Sequence, residues 1–108
     1  MANTFTSYVN KDVGTSAATV VTVGAATQTT IIGLAFANTS ASPITASAYI
    51  TRSGTDYYLI KGATVPVGSS LVVVGGDQKV VLITSDVLKV VTSAAASADV
   101  VTSVLNIT

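Results

Sequence analysis

Aliphatic and polar positions alternate with a period of two along much of this chain. In segment 44–52, Ile, Ala, Ala and Ile occupy positions 44, 46, 48 and 50, with polar or aromatic residues between them. This alternation predicts a β-strand with one buried and one wetter face. Segment 29–37 alternates in the same way, with Ile32, Leu34 and Phe36 on one bulky face. Gly33 on the opposite face predicts a bulge or the close approach of another backbone.

Turn residues separate these patterns at intervals of about 8–12 residues, which is typical of a β-sandwich or barrel. Ser53-Gly54-Thr55 predicts a tight hairpin connection. Pro43 predicts the start of a strand because it lacks the N–H that ladder pairing needs. The continuously apolar run 71–74 predicts a strand that is buried on both faces. The predicted strands are 4–9, 18–23, 29–37, 44–52, 56–61, 71–74, 79–83, 86–92 and 98–107.

The end of the chain admits two interpretations. Residues 93–105 are rich in Ala and fit a helix, whereas their three valines favour a strand, because β-branched side chains lose rotamer freedom in a helix. We expect the strand, with Val101, Leu105 and Ile107 on one face.

Eight or nine short strands predict an all-β protein. The expected architecture is a single antiparallel two-sheet β-sandwich of jelly-roll or immunoglobulin-like type, with residues 1–108 in one domain. Residues 1–13 are a candidate N-terminal arm that pairs with the sheet edge of another chain.

Composition adds a prediction about association. Val and Thr are the commonest residues, Glu is absent, and only 9% of residues are charged, with a formal net charge of zero. A typical soluble domain carries about 25% charged residues. Low charge at zero net charge favours self-association, so we expect a homo-oligomer with a hydroxyl-rich surface. An ordinary neutral monomer is the alternative interpretation.

The sequence lacks the residues on which most catalytic sites depend. It contains neither His nor Cys, so a Ser-His-Asp triad, a thiol nucleophile and a His/Cys metal cluster are all excluded. The Asp residues lie beside turn residues or lysines, which predicts capping and turn roles. A calcium site at Asp77 or Asp86 is an alternative, but the dense Asp/Asn spacing of a dedicated loop is missing. We therefore expect no enzyme, no catalytic residue, no metal and no cofactor.

Partner and location follow from similar reasoning. No basic patch is present to meet phosphates, so we expect no nucleic-acid partner. The sequence contains no run of 18 apolar residues, so no membrane span is predicted. The N-terminus lacks the cationic and apolar regions of a signal peptide, so synthesis in the cytoplasm is expected.

The candidate interface residues are aromatic or basic, which are the types enriched at binding hot spots. Arg52, Tyr57 and Tyr58 surround one predicted hairpin, and Phe5 and Tyr8 lie in the N-terminal segment. Neighbouring residues in a strand point to opposite faces, so at least one of the two adjacent tyrosines is predicted to be in the core.

Four segments carry a resemblance to a known family. They are VPVGSSLVVVGGDQKVVL (65–82), IIGLAFAN (31–38), YYLIK (57–61) and DVVTSVL (99–105). Together they resemble small virion structural proteins of tailed bacteriophages, including cyanophages, across residues 29–107. The resemblance implies a β-sandwich that forms rings or trimers on a particle, and its pattern contains no catalytic residue.

The resulting hypothesis is a non-enzymatic structural protein of a tailed-phage virion. It would associate with itself around a symmetry axis, as a trimer or ring, and bind other virion proteins such as capsid or tail proteins. A capsid decoration or cement protein is slightly favoured over a neck, tail or fibre component. The alternative is a receptor- or glycan-binding β-sandwich module, such as a fibre tip.

Overall fold

The computed structural model describes residues 2–75 and 78–108, and these form nine β-strands and no helix. The all-β prediction is confirmed, and the end of the chain is a strand rather than a helix. The strands are Asn3–Val13 (β1), Ala18–Thr22 (β2), Gln28–Asn38 (β3), Ile44–Arg52 (β4), Thr55–Val65 (β5), Ser70–Val74 (β6), Val80–Leu82 (β7), Val87–Thr92 (β8) and Ala98–Ile107 (β9).

The strands form two antiparallel sheets, which confirms the predicted sandwich. The five-stranded sheet has the order β1-β9-β3-β6, with β7 also paired to β3, and the four-stranded sheet has the order β2-β8-β4-β5. Strands β6 and β7 pair with successive parts of β3 and act as one interrupted strand. When β6 and β7 are counted as one strand, the chain has eight strands. Their order is that of a jelly roll rather than that of an immunoglobulin domain.

The core lies between the two sheets. Phe36 and Leu34 from the first sheet and Leu88 and Val90 from the second are all fully buried. The predicted inner face of β4 is confirmed, because its residues at 44, 46, 48 and 50 are all buried. This packing fixes which face of each sheet is turned outward.

A bulge in β3 changes the predicted face of one residue. Ile31 pairs with Val104 and Gly33 pairs with Ser103, so Ile32 is an extra residue without a partner on β9. The bulge predicted from Gly33 is thus confirmed. The prediction that Ile32 shares a face with Leu34 is wrong, because the extra residue reverses the alternation and buries Ile31 instead.

A further prediction of burial is wrong. Strand β6 is at the edge of its sheet rather than in the interior, and Val72 is 63% exposed. In β9 Val101 shares a face with Leu105 and Ile107, as predicted, and this is the outer face, on which Val101 is 52% exposed. Alternation alone does not identify the inner side of a strand that carries aliphatic residues on both sides.

The β4–β5 connection is the predicted hairpin. Arg52 pairs with Thr55, and the two turn residues Ser53 and Gly54 have φ angles of 53° and 78°. Two positive φ angles are the signature of a type I′ turn, which matches the twist of the strands it joins.

The segment predicted as an arm is part of the sheet. Residues 3–13 form β1 and pair with β9, from Asn3 opposite Ile107 to Val13 opposite Ala98. The N-terminal segment is therefore an edge strand of the five-stranded sheet.

Candidate interaction surfaces

The outer face of the five-stranded sheet carries a row of aliphatic side chains that crosses four strands. Val9 pairs with Val101, Val101 pairs with Ala35, and Ala35 pairs with Val72. The three valines are 73%, 52% and 63% exposed. Side chains that are opposite each other on one face of a sheet are in contact, so these residues form a continuous apolar strip.

A second row lies parallel to the first. Phe5 pairs with Leu105, Leu105 pairs with Thr30, and Thr30 pairs with Val81. Phe5 is 75% exposed and Val81 is 54% exposed. Between the two rows lie Ser7, Ser103, Gly33 and the inserted Ile32. We call the two rows and the residues between them the apolar face.

An ion pair lies at one end of this side of the sheet. Lys11 Nζ lies 3.3 Å from Asp99 Oδ2, and the Asp12 N–H donates to Asp99 Oδ1 at 3.2 Å. The hydrogen bond from the Asp12 N–H holds the pKa of the Asp99 carboxyl below its ordinary value, and Lys11 makes a smaller contribution in the same direction. No charged residue belongs to the apolar face itself.

The apolar face is comparable to the larger apolar patches found on single proteins. Four strands about 4.8 Å apart, with about five residues each between the outer margins of the two rows at about 3.3 Å per residue, cover roughly 300 Å². The largest apolar patch on a typical monomer measures about 300–600 Å² and is often functional. A stable complex buries about 800 Å² on each partner, so a contact made here would have the apolar face at its centre and would include residues around it.

The outer face of the four-stranded sheet is different in character. Lys89 on β8 pairs with Thr19 on β2 and with Tyr49 on β4, and Asp56 on β5 pairs with Thr51. Thr51 Oγ1 donates to Asp56 Oδ1 at 2.7 Å. Charged and hydroxyl-bearing side chains are common on this side, so the molecule has one apolar and one polar outer face.

The candidate Tyr58 is on the polar face, in the edge strand β5. Its ring centroid lies 4.9 Å from that of Tyr49, and Lys61 Nζ lies 4.9 Å from the Tyr58 centroid, within cation–π range. Tyr58 covers Tyr49, which is 9% exposed, and this burial raises the pKa of the Tyr49 phenol. Tyr58 therefore contributes to local packing.

The prediction that Tyr57 or Tyr58 lies in the core is wrong, because they are 56% and 45% exposed. Tyr57 is opposite Ile50, on the inner side of β5, but β5 is an edge strand. The Tyr57 ring lines a shallow depression with Ile50, Arg52 and Val81. The buried tyrosine is Tyr49, which sequence alternation assigned to the wetter face.

The candidate Arg52 is engaged within the molecule. Its Nε and Nη2 donate to the two carboxylate oxygens of Asp86 at 2.8 and 2.6 Å. The Ile83 N–H donates to the same carboxylate at 2.9 Å. Asp86 is 1% exposed, and the bond from Arg52 lowers the pKa of its carboxyl. The charge partner of Asp86 is thus a residue 34 positions away in the chain.

The two N-terminal candidates point to opposite faces of β1. Phe5 belongs to the apolar face, whereas Tyr8 is opposite the buried Thr102 and packs against the margin of the core. Of the five candidates, Phe5 and Tyr8 share β1 in the five-stranded sheet. The other three, Arg52, Tyr57 and Tyr58, lie on β4 and β5 in the four-stranded sheet. The structure does not bring the two groups together.

Within residues 2–75 and 78–108, no three acidic side chains are grouped so that they could hold a metal ion. The calcium alternative at Asp86 is contradicted by its two bonds from Arg52, and Asp77 lies outside the described residues. The described part of the chain also forms no helix long and apolar enough to span a bilayer.

Comparison with known proteins supports the fold. No protein-family model and no curated protein matches this sequence. A similar solved structure is a chain in the crystal structure of the T13 IBDV viral particle, described in the context of icosahedral virus evolution. The TM-score is 0.53 with 14% sequence identity, over 96% of this chain and 35% of that chain. The present chain thus spans about a third of that chain's length and shares its fold over that part.

Proposed function

We propose that this protein is a non-enzymatic structural subunit of a tailed-phage virion. It associates with copies of itself and uses its apolar face to bind a neighbouring virion protein. We favour decoration or cementing of the capsid over a role in the neck, tail or fibre.

The apolar face is the observation that carries this proposal. Phe5, Val9, Val72, Val81 and Val101 are each more than half exposed and lie in two rows on one side of the sandwich. A contiguous apolar surface rimmed by charges at one end is typical of a protein contact site. The opposite face is polar, so one side of the subunit is suited to solvent and the other to a partner.

Independent features support a particle role. The jelly roll is a fold found in viral capsid domains, although fold alone does not establish function. The similar chain comes from a viral particle, and the sequence segments resemble tailed-phage virion proteins. Absence of His and Cys from the sequence supports the non-enzymatic part of the proposal.

The test is the protein composition of purified particles from the virus that carries the gene. Mass spectrometry is expected to find this protein in stoichiometric amounts. Particles assembled with Val101→Lys in place of the natural protein are expected to lack it, because the lysine would be buried without a partner. Thr64→Lys is the matched control, since Thr64 is exposed on the polar face. Absence of the natural protein from particles would overturn the proposal.

The depression beside Tyr57 favours a second candidate function, a receptor- or glycan-binding module. An exposed tyrosine ring next to Arg52 and Ile50 offers a stacking surface and a polar group, the combination used in ligand sites. Tyr57→Ala is expected to abolish adsorption to cells or glycan arrays under this alternative. Tyr58→Ala is the control, because the Tyr58 ring is engaged with Tyr49 and Lys61. Unchanged adsorption in both variants dismisses this function.

A further inference from the structure

Strand β1 forms an open edge of the five-stranded sheet. It pairs with β9 on one side, and no strand of the described chain pairs with it on the other. Natural sheets block such edges with charges, prolines, bulges or short strands. Residues 3–9 contain no charge, no proline and no glycine, and their register with β9 is uninterrupted. This stretch therefore has none of the usual protection against pairing with another chain.

The other edges formed by the described residues are better protected. Strands β2 and β6 have five residues each, and β7 has three. Strand β5 is long, but it carries Lys61 and is distorted at Gly62, which has a φ of 67°. Edge pairing is thus best supported at β1.

The hydrogen-bond pattern shows which residues face the open edge. Ala2 and Thr108 exchange both backbone bonds, at 3.1 and 3.0 Å. In an antiparallel ladder such pairs recur at every second residue, so the even positions of β1 bond to β9. The odd positions, Asn3, Phe5, Ser7 and Val9, therefore direct their N–H and C=O groups to the open edge. The side chains of the same residues lie on the outer face.

We propose that β1 pairs antiparallel with β1 of a second copy of this chain, about a two-fold axis at Ser7. This register places Ser7 opposite Ser7 of the second copy and Phe5 opposite Val9 of the second copy. Aromatic and β-branched side chains stabilise each other when they are directly opposite on a sheet. A shift by two residues would instead place Phe5 opposite Ser7 and Val9 opposite Asn3, which loses both apolar pairs.

Pairing in this register joins two five-stranded sheets into one continuous sheet and two apolar faces into one. On the other side of the sheet, Tyr8 lies opposite Thr6 of the second copy, so both aromatic residues of β1 are at the contact. A two-fold contact of this type uses the same surface on each copy and closes on itself. The inference specifies, and rests on, the self-association part of the proposed function.

A single introduced thiol tests the register, because the chain contains no Cys. In the proposed pair the Ser7 Cα atoms are about 5.5 Å apart, within the range of about 4.4–6.8 Å that a disulfide spans. Mild oxidation of Ser7→Cys is expected to give a covalent dimer. Ser103→Cys is the matched control, because Ser103 is opposite Ser7 on β9 and on the same face. It is three strand spacings, about 14 Å, from its copy and is expected to stay unlinked.

A second variant tests the backbone bonds. The Ser7 N–H points to the open edge, so Ser7→Pro removes no bond between β1 and β9. It removes two bonds across the axis, and the dimer dissociation constant is expected to rise about thirty-fold. Sedimentation measures this change, and circular dichroism checks the fold.

The outcomes separate the inference from the proposed function. A covalent dimer that forms with Ser7→Cys but not with Ser103→Cys supports edge pairing. An oligomer that is linked through Ser103→Cys, or through neither thiol, overturns edge pairing and leaves self-association in place. A natural protein that is monomeric at all concentrations in light scattering overturns both the pairing and the self-association.

Discussion

The buried hydroxyls of Thr102 and Thr92 differ in their partners. Thr102 is fully buried on β9, and its Oγ1 has no hydrogen-bond partner among the described residues. Thr92 is also buried, but its Oγ1 lies 2.6 Å from Ser97 Oγ and donates to the Ala94 carbonyl at 2.9 Å. Burial of a polar group costs free energy unless a hydrogen bond compensates it.

Substitution of these two threonines by valine is therefore predicted to have opposite effects. Thr102→Val removes an unpaired hydroxyl at nearly constant volume and is expected to raise the free energy of unfolding by about 1 kcal/mol. Thr92→Val leaves Ser97 and the Ala94 carbonyl without their partner and is expected to lower it by about 1–2 kcal/mol. Urea denaturation of both variants checks the prediction, and a loss of stability in Thr102→Val would contradict it.

Asp86 joins three parts of the fold through its carboxylate and its carbonyl. The carboxylate accepts bonds from Arg52 at the end of β4 and from the Ile83 N–H after β7, and the carbonyl accepts from the Val23 N–H after β2. The carboxylate bonds depend on its negative charge, which the Arg52 bond stabilises by lowering the pKa. Protonation of Asp86 should therefore weaken the fold.

The pH dependence of stability follows from this shift. The folded pKa of Asp86 lies below the ordinary value of about 3.9, so the unfolded chain binds more protons in the acid range. The stabilisation is complete above the unfolded pKa and is lost as the pH falls through the folded pKa. Asp86→Asn is expected to cost about 2 kcal/mol at pH 7 and to make the acid limb of the stability profile shallower.

Thermal unfolding of the natural protein and of Asp86→Asn between about pH 2 and pH 7 measures this effect. Asp99→Asn serves as the comparison, because the pKa of Asp99 is also lowered but its ion pair with Lys11 is largely exposed. A smaller change is expected there. Parallel profiles for the natural protein and Asp86→Asn would show that the carboxylate charge does not stabilise the fold.

At the level of the strand, the bulge in β3 decides which of two adjacent isoleucines supports the core. Ile31 is fully buried, whereas Ile32 is the inserted residue and is only partly buried. Ile31→Ala is expected to lower the free energy of unfolding by about 3–4 kcal/mol, and Ile32→Ala by about 1 kcal/mol. The two variants remove the same atoms from neighbouring positions, so each is the control for the other. Equal losses in urea denaturation would mean that the bulge is absent.

Alternation predicted most elements because nearly every strand has a polar side that marks the solvent. Strand β4 is the clearest example, since its hydroxyl-bearing positions identified the opposite side as core. Alternation does not show which side is inner where both sides are aliphatic, as in β6 and β9, whose Val72 and Val101 belong to the apolar face. Sequence reasoning thus missed the best candidate surface, because a second apolar face gives the same signal as a core.

Interface prediction from residue type was limited for a related reason. Tyrosine and arginine were chosen because they are common at hot spots, but Arg52 is held by Asp86 and Tyr58 packs on Tyr49. Both contacts join residues distant in the chain or on different strands, which local patterns do not reveal. Phe5 was chosen as an aromatic residue of the N-terminal segment, whereas its place in a row across the sheet depends on strand register.

Considered as a whole, the molecule carries its charged residues outside the apolar face and outside residues 3–10 of β1. Lys61, Lys89 and Asp56 are on the four-stranded sheet, and Lys11 is paired with Asp99 at one end of the other sheet. The apolar face and residues 3–10 of β1 carry none. Contacts made through these surfaces would rely on apolar burial and backbone hydrogen bonds rather than on ion pairs.

This separation predicts an unusual response of self-association to salt. Sodium chloride screens charges over a Debye length of about 10 Å at 0.1 M and about 3 Å at 1 M. The dimer dissociation constant is expected to change less than about two-fold between these concentrations, because no charged pair lies at the proposed contact. Ammonium sulfate is expected to lower that constant, since sulfate strengthens apolar burial. Sedimentation in both salts measures the two responses, and a ten-fold weakening by sodium chloride would show that ion pairs, not the β1 edge and the apolar face, hold the copies together.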